Sequence, residues 1–227
     1  MFDDYKHPKN WYEYLIVGSI ELMEVYIDGV ESQIERGIED YRSKKQVEVC
    51  EPQDEYDSGR IIEYHMGLAD ATWDIREIFE EYFPNLQRRS GLITLFSFFE
   101  HELDKLCNQF RETEKYALSF KDLQGTGNER SMIYLEKIVQ IDIRRNTPEW
   151  QEIKSIQSIR NLIVHADGRL SAEKRKESEY VNACHLLRAT EEVIIEKGYL
   201  EHVLATFKKH FEAVNIAIGL KYKSQSS

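Results

Sequence analysis

The sequence predicts a mostly α fold. Apolar residues recur at spacings of three and four along most of the chain, which is the period of a helix with one buried face. The strict alternation of apolar and polar residues that is typical of half-buried strands is rare. The chain has 227 residues, of which 41% are hydrophobic, so its helices can bury a sizeable core.

The first third is expected to form an N-terminal helical region, residues 1–86. Residues 10–45 have the pattern of a long amphipathic helix, or of two helices, and residues 46–59 that of a loop. A second helix is expected over residues 60–83, and Pro84-Asn85 is expected to end it, because proline breaks helices. The apolar stripe of the first helix is predicted to contain Leu15, Leu22, Val25, Ile34 and Ile38.

Residues 87–220 are expected to form a second helical domain. Its first helix has an apolar stripe within about 60° of one line, formed by Leu92, Leu95, Phe96, Phe99, Leu103, Leu106, Cys107 and Phe110. Gly125 and Gly127 mark a turn, since they lack the strand and the Gly-Lys-Ser/Thr ending of a phosphate loop. The elements expected after this turn are a helix over 128–145, the helix described next, a helix over 172–190, a short β-hairpin over 193–200, a helix over 201–219 and a disordered tail over 221–227.

One helix is defined at both ends by the sequence. Thr147 is a suitable N-cap and Pro148 suits the first helical position, while Asp167-Gly168 stops the helix. The segment Arg160-Asn161-Leu162-Ile163-Val164-His165 closes this helix. It places an arginine, an amide and an imidazole on one short stretch of chain.

The helical period separates this helix into a core face and a polar face. Its predicted core face contains Ile153, Ile156, Ile159, Leu162 and Ile163. Asn161 and His165 fall on the polar side with Gln157 and Lys154, and Arg160 lies at the edge of the apolar arc. The geometry therefore predicts a solvated Asn161/His165 pair beside a half-buried arginine.

The Arg-x4-His spacing occurs a second time, at Arg60-Ile61-Ile62-Glu63-Tyr64-His65. This copy has isoleucine where the first has Asn161, and its arginine follows Ser58-Gly59 at an expected helix start. The spacing alone therefore has little specificity. We interpret the second copy as a chance occurrence.

The string Ile159-Arg160-Asn161-Leu162-Ile163-Val164-His165-Ala166-Asp167-Gly168 resembles the Arg-polar-x3-His signature of HEPN domains, which are small all-α modules. The resemblance covers roughly residues 87–220, and residues 92–107 are similar to the opening helix of such a domain. It implies a helical bundle of HEPN type with an N-terminal helical extension. It also implies that Arg160, Asn161 and His165 are active residues, brought together from two protomers in a homodimer.

On this resemblance the expected function is metal-independent endoribonuclease activity, in a toxin or a phage-defence effector. His165 would act as general base or acid, and the planar fork of Arg160 would neutralise the charge that develops at phosphorus. Asn161 would orient His165 or bind the sugar or phosphate. The expected products are a 2′,3′-cyclic phosphate and a 5′-OH.

Other side chains are candidates for a supporting role or for metal binding. Glu100 and Glu102 border the apolar stripe of their helix, and either can pair with Arg160. We favour Glu100, because HEPN domains often have a polar residue near that position. Lys154 and Gln157 are further supporting candidates. The segment His101-Glu102-Leu103-Asp104-Lys105 lacks the second histidine of a zinc-protease helix, so we expect neither a metal nor another cofactor.

The net charge of −11 argues against nucleic-acid binding by bulk electrostatics. RNA binding therefore needs a local basic site, or else the basic residues are merely solvated. The basic candidates near the motif are Arg144, Arg145, Lys154, Arg169, Lys174, Arg175 and Lys176. Many acidic residues lie early in the chain, and that region can repel RNA or dock a basic partner such as an antitoxin. They include Glu31, Glu35, Glu39, Asp40, Glu48, Glu51, Asp54, Glu55 and Asp57.

We expect no membrane association and a cytoplasmic location. No apolar run approaches the length of a membrane span, and residues 1–6 lack the features of a signal peptide. Three cysteines at wide spacing favour reduced thiols. Two other interpretations stay open: a noncatalytic HEPN-like scaffold that binds a protein or nucleotide, and an all-α scaffold whose motif arose by chance.

Overall fold

The structure is a computed structural model that describes residues 7–51, 59–125, 127–171 and 173–224. It confirms a mostly α fold, with 69% helix and a few short strands. The α-helices are α1 (Val17–Lys44), α2 (Ile75–Glu77), α3 (Phe83–Glu114), α4 (Gly127–Lys137), α5 (Pro148–Ala166), α6 (Arg175–Ala183) and α7 (Tyr199–Ser224). The strands are β1 (Gln46–Cys50), β2 (Arg60–His65), β3 (Leu68–Ala69), β4 (Leu187–Ala189) and β5 (Val193–Ile195).

Helix α3 is the centre of the bundle and packs against α1, α4, α5 and α7. The ring of Phe99 stacks on that of Phe207, with 4.3 Å between their centroids. Phe96 meets Phe207 edge to face. The predicted apolar stripe of α3 is buried along its whole length, from Leu92 to Phe110. The core therefore forms around the helix with the strongest apolar periodicity.

Polar side chains at the start of α3 fasten it to its neighbours. Arg88 donates to both carboxylate oxygens of Glu31 on α1, each at 2.8 Å, and this pair is buried. Asn85 accepts a hydrogen bond from the Ile195 amide at 2.9 Å and donates to the Val193 carbonyl at 3.3 Å. These bonds fix α3 to α1 and to the β4–β5 hairpin.

Arg89 connects the hairpin to the end of α5. Its Nη2 lies 2.8 Å from a carboxylate oxygen of Glu192, and its Nη1 lies 3.3 Å from Asp167 Oδ1. A Cβ at Gly168 would collide with the Arg89 guanidinium, and the φ of Gly168 is +74°. Glycine therefore lets the buried arginine approach the turn that follows α5.

The N-terminal region contains a small sheet that the sequence analysis did not predict. Strands β1, β2 and β3 form an antiparallel sheet, so the expected loop over residues 46–59 is wrong for residues 46–50. The expected helix over residues 60–83 is wrong for residues 60–74. Met66 and Gly67 both have positive φ and form the turn between β2 and β3. Tyr41, Ile75 and Phe79 form a second buried cluster against this sheet. The β-branched and aromatic residues of β2 are the local signal for the strand.

Pro84 does not end a helix, contrary to our expectation. It lies in the first turn of α3, directly after a π-helical segment, Ile78–Tyr82. A π-helical turn widens the backbone, and proline in a first turn loses no essential hydrogen bond. The expected boundary between residues 86 and 87 consequently falls inside α3. One hydrophobic cluster contains side chains from both sides of it, such as Ile20 and Leu95.

Several other expectations are corrected by the structure. On α1, Leu22 and Val25 are 67% and 69% exposed, and the unpredicted Ile20 and Ile27 are buried instead. Ile34 is buried as expected. The expected helix over 128–145 ends at Lys137, and that over 172–190 covers Arg175–Ala183.

Near the C-terminus a hairpin is present, but its first strand is β4, upstream of the expected segment. Residues 221–224 belong to α7 instead of a disordered tail. Residues 225–227 and the central part of the first expected loop, residues 52–58, lie outside the described residues, as do residues 1–6.

None of the helices among the described residues combines the length and the apolarity that a membrane-spanning segment needs.

Candidate active site

Helix α5 is built as the sequence predicts. The Thr147 side chain accepts a hydrogen bond from the Trp150 amide at 3.2 Å, and Pro148 lies in the first turn. Asp167 has a left-handed conformation with φ +51°, and its amide bonds back to the Leu162 carbonyl. All members of the predicted core face are buried, namely Ile153, Ile156, Ile159, Leu162 and Ile163. Because these residues face the core, the polar side chains of α5 lie on the other side of the helix.

Arg160 is half-buried, with 19% of its side chain exposed. Its Nη2 donates to Glu100 Oε2 at 2.8 Å, and its Nη1 donates to Asn161 Oδ1 at 3.0 Å. The guanidinium carbon lies 4.7 Å from the centroid of the Phe96 ring, in a cation–π contact. These three contacts hold the guanidinium in one plane at the surface of the core.

Arg160 keeps spare hydrogen-bonding capacity. Each terminal nitrogen carries two N–H groups. Nη2 uses one of them for Glu100 and Nη1 uses one for Asn161, so one N–H group on each nitrogen is unused. Its Nε is buried and has no hydrogen-bond partner among the described residues. The donors left for an incoming anion are therefore those on the two terminal nitrogens, and the buried Nε is not among them.

Asn161 and His165 lie on the solvent side of the same helix. Asn161 is half-buried and His165 is exposed. Because Asn161 Oδ1 accepts from Arg160, its Nδ2 is the end of the amide left to donate elsewhere. Among the described residues Asn161 is bonded to Arg160 and makes no hydrogen bond to His165. The structure thus brings Asn161 to Arg160, and places the imidazole about one helical turn further on.

Glu100 is held against the start of α4. A Cβ at Gly127 would collide with the Glu100 carboxylate, and the φ of Gly127 is +53°. Gln157 Nε2 donates to Asn128 Oδ1 at 3.2 Å. Asn128 is fully buried, and its Nδ2 has no partner among the described residues. The first residues of α4 therefore contact both Glu100, the carboxylate that pairs with Arg160, and the side-chain amide of Gln157.

The other candidate residues have different environments. Glu102 pairs with Lys105 at 2.8 Å and makes no contact with Arg160, so the choice of Glu100 over Glu102 agrees with the geometry. Lys154 lies at the same side of α5 as Gln157, with its ammonium 3.5 Å from Glu129. Lys154 is thus a partly neutralised cation beside the site.

The expected basic residues are only partly free for RNA. Arg145 pairs with Glu136 and Arg175 pairs with Glu179, each at 2.8 Å. Four others are exposed and make no ion pair with another described residue: Arg144, Arg169, Lys174 and Lys176. Of these four, Arg169 lies closest in sequence to His165.

Some of the expected acidic surface is used internally. Glu31 is buried against Arg88, and Glu35 pairs with Lys197. Asp54, Glu55 and Asp57 lie outside the described residues.

Several residues that shape the site have no local signal in the sequence for that role. The sequence places Phe96 in the core stripe and Gly127 in a turn, and nothing local marks Arg89, which fixes the Asp167-Gly168 turn. A glycine at the start of a helix was the visible signal for a close approach, but its neighbour Glu100 is distant in sequence.

The described residues contain no group of three or more His, Cys, Asp or Glu side chains placed to hold a metal ion. The second Arg-x4-His spacing falls on strand β2, where His65 is buried edge-on against the stacked rings of Tyr41 and Phe79. This placement differs from the helical setting of Arg160 and His165.

Comparison with protein-family models, with curated proteins and with solved structures finds no match to this chain. The functional interpretation consequently depends on the residues and their geometry.

Proposed function

We propose that the chain is a metal-independent endoribonuclease of HEPN type that acts as a homodimer. The observation that carries the proposal is the Arg160 guanidinium, held by Glu100 and Asn161 with donors to spare, on the helix that ends beside the exposed His165. This arrangement offers a fixed cation for phosphate and a solvent-accessible imidazole.

In the proposed reaction His165 removes the proton from a ribose 2′-OH as that oxygen bonds to the adjacent phosphorus. The bond from phosphorus to the 5′-oxygen breaks, and the partner subunit's His165 supplies the proton to the leaving oxygen. Arg160 donates hydrogen bonds to the phosphoryl oxygens while negative charge develops on them. The products are a 2′,3′-cyclic phosphate and a 5′-OH.

The remaining residues have supporting roles in this proposal. Asn161 Nδ2 donates to the sugar or phosphate, because Asn161 Oδ1 is occupied by Arg160. Glu100 positions Arg160, while Gln157 and Lys154 border the path of the RNA. The proposed reaction uses no cofactor. We propose that the protein acts in the cytoplasm as a toxin or a phage-defence effector.

The test is cleavage of total cellular RNA and tRNA by the purified chain in excess EDTA. The parent is compared with Arg160→Ala, Arg160→Lys and His165→Ala, and with His185→Ala as a matched variant of an exposed histidine. Light scattering measures the molar mass of each variant, so that only samples with the same dimer content are compared. We expect cyclic phosphate ends from the parent and from His185→Ala, weak cleavage by Arg160→Lys, and none by the two alanine variants at the site.

Equal cleavage by the parent and His165→Ala would contradict the proposal. A second candidate function is a noncatalytic module that docks a protein partner through its acidic N-terminal region or binds a nucleotide. It is favoured by Glu21, Glu24 and Glu39, which are exposed on α1 and make no ion pair with another described residue. An unchanged biological effect of His165→Ala would favour this second function.

A further inference from the structure

An exposed aromatic groove lies between the small sheet and the start of α3, away from the Arg160 site. Its volume is about 530 Å³, and it is lined by Leu68, Trp73, Glu77, Ile78, Tyr82 and Phe83. Trp73, Tyr82 and Phe83 are 54%, 49% and 37% exposed. A contiguous exposed patch of this kind marks an interaction surface more often than scattered apolar residues do.

The groove has a rigid base. Asp74 caps the helical segment by accepting a hydrogen bond from the Glu77 amide at 2.9 Å. Ile75 and Phe79, on the opposite side of this segment, are buried against Tyr41. The Phe83 ring packs edge to face on Phe79 with 5.4 Å between centroids. The Phe83 ring is therefore held in place before any partner binds, and the Tyr82 ring lies against it with 5.8 Å between centroids, which lowers the entropic cost of binding.

An acidic groove adjoins the aromatic one and shares Glu77 and Tyr82 with it. This second groove has a volume of about 460 Å³, and its other charged lining residues are Glu81, Arg188, Glu191 and Glu192. Arg188 is already bonded to Glu81 and to Glu196, each at 3.0 Å.

The ion pairs leave uncompensated negative charge in this acidic groove. The Glu192 carboxylate is paired with Arg89 at 2.8 Å. Glu77 and Glu191 make no ion pair with another described residue. A surface with free carboxylates beside exposed aromatic rings fits a ligand that is both cationic and apolar.

We infer that the two adjoining grooves form a docking site for a peptide segment of a protein partner, in which an apolar or aromatic side chain neighbours lysine or arginine. The apolar side chain packs on Trp73 and Tyr82, and the basic side chain reaches Glu77 and Glu191. The rings of Trp73 and Tyr82 can also face the cation directly.

Charge makes RNA a less suitable occupant, because its phosphates would meet the free carboxylates of Glu77 and Glu191. Whether a second copy of this chain occupies the groove is decided by the oligomeric state of the Trp73→Ala variant. The inference is independent of RNA cleavage, since none of these residues belongs to the Arg160 site.

The test is selection of short random peptides displayed on phage against the full chain, with Trp73→Ala as counter-selection. We expect enriched peptides to combine an aromatic or large aliphatic residue with nearby lysine or arginine. One enriched peptide, labelled with a fluorophore, is then titrated with the variants. Trp73→Ala and Glu77→Lys should each weaken its binding by about tenfold or more, as expected for an aromatic anchor and for a charge reversal beside it.

Matched control variants are Leu22→Ala and Glu112→Lys, which alter an exposed apolar residue on α1 and an exposed acid near the end of α3. They should leave binding of the peptide unchanged. Enrichment of acidic peptides, equal binding by Trp73→Ala, or an equal loss in these two controls would overturn the inference. Dimerisation of the parent that Trp73→Ala abolishes would overturn it too, by assigning the groove to a second copy.

Discussion

Ionisable side chains at the two halves of α5 have different surroundings. In the first half, Glu152 accepts hydrogen bonds at one oxygen from both Tyr180, at 2.6 Å, and His202, at 2.7 Å. Nearby Trp150 packs on the buried ring of His210, with 5.2 Å between centroids. In the second half, Arg160 retains unused donors and His165 is exposed.

The pKa values of the ionisable groups on and around the first half of α5 reflect burial and internal hydrogen bonds. The hydrogen bond from His202 lowers the pKa of Glu152, against the opposing effect of burial. Burial raises the pKa of the Tyr180 phenol well above its usual range. Burial also lowers the pKa of His210 from the ordinary 6.5 to about 4. Neighbouring side chains thus enclose His210 beside the first half of α5, whereas His165 at the end of the second half is exposed.

The largest expected effect on stability is at His210, through pH. Its neutral form is buried and its Nε2 has no hydrogen-bond partner among the described residues. Because its pKa is lower in the folded state, its contribution is intact above pH 6.5 and is lost as the pH falls towards 4. The loss amounts to about 3 kcal/mol.

His210→Phe should remove this dependence while keeping an aromatic ring in contact with Trp150 and Phe99. The measurement is urea unfolding of the parent and the variant between pH 4 and pH 7. The difference between their free energies of unfolding should change by about 3 kcal/mol over that interval. A difference that stays constant with pH would mean that His210 is not buried in its neutral form.

Glu152→Gln should have the next largest effect. It removes the charge that accepts two hydrogen bonds in a partly buried network, which should lower the free energy of unfolding by about 1 to 2 kcal/mol. Urea unfolding at pH 7 measures this loss, with Glu21→Gln on the exposed face of α1 as the matched control. Equal stability of both variants would show that the network adds nothing.

Glu100→Gln should cost less stability but more activity. The Glu100 side chain is 24% exposed and its bond to Arg160 is a single one, so the expected loss of unfolding free energy is about 1 kcal/mol or less. If Glu100 positions Arg160, the rate of RNA cleavage in EDTA should fall by about tenfold or more. Glu100→Asp should recover part of that rate. A variant with full cleavage activity would remove Glu100 from the site.

His165→Ala is expected to have the smallest effect on stability. Its side chain is exposed, so the free energy of unfolding should stay within about 0.5 kcal/mol of the parent. Cleavage should nevertheless disappear, in contrast to His185→Ala, which should change neither property. A substantial loss of stability in His165→Ala would place His165 with the enclosed histidines of the first comparison.

The candidate site was predictable where local rules apply. The cap at Thr147, the stop at Asp167 and the helical period together gave the limits of α5 and the partial burial of Arg160. They also gave the exposure of His165. The sequence favours Glu100 over Glu102 as the partner of Arg160 but does not decide between them, because both carboxylates border the same apolar stripe.

The fold of the N-terminal region was less predictable. The apolar residues of β2 fit a helical spacing as well as a strand, and the decision came from pairing with β1 and from the turn at Met66-Gly67. On α1, Leu22 and Val25 match a helical stripe, yet the face with Ile20 and Ile27 is the buried one. Pro84 was expected to break a helix, but the preceding π-helical turn accommodates it.

The sequence by itself determined the α-rich composition of the fold, the net charge of −11, and the ends and faces of α5. These properties depend on residues within a few turns of one another. The tertiary structure alone decided that Glu100, 60 residues before Arg160, holds that guanidinium, and that Arg89 fastens the turn after α5. Such contacts join distant parts of the chain, and the competition among possible carboxylate and arginine partners is resolved only when the helices pack.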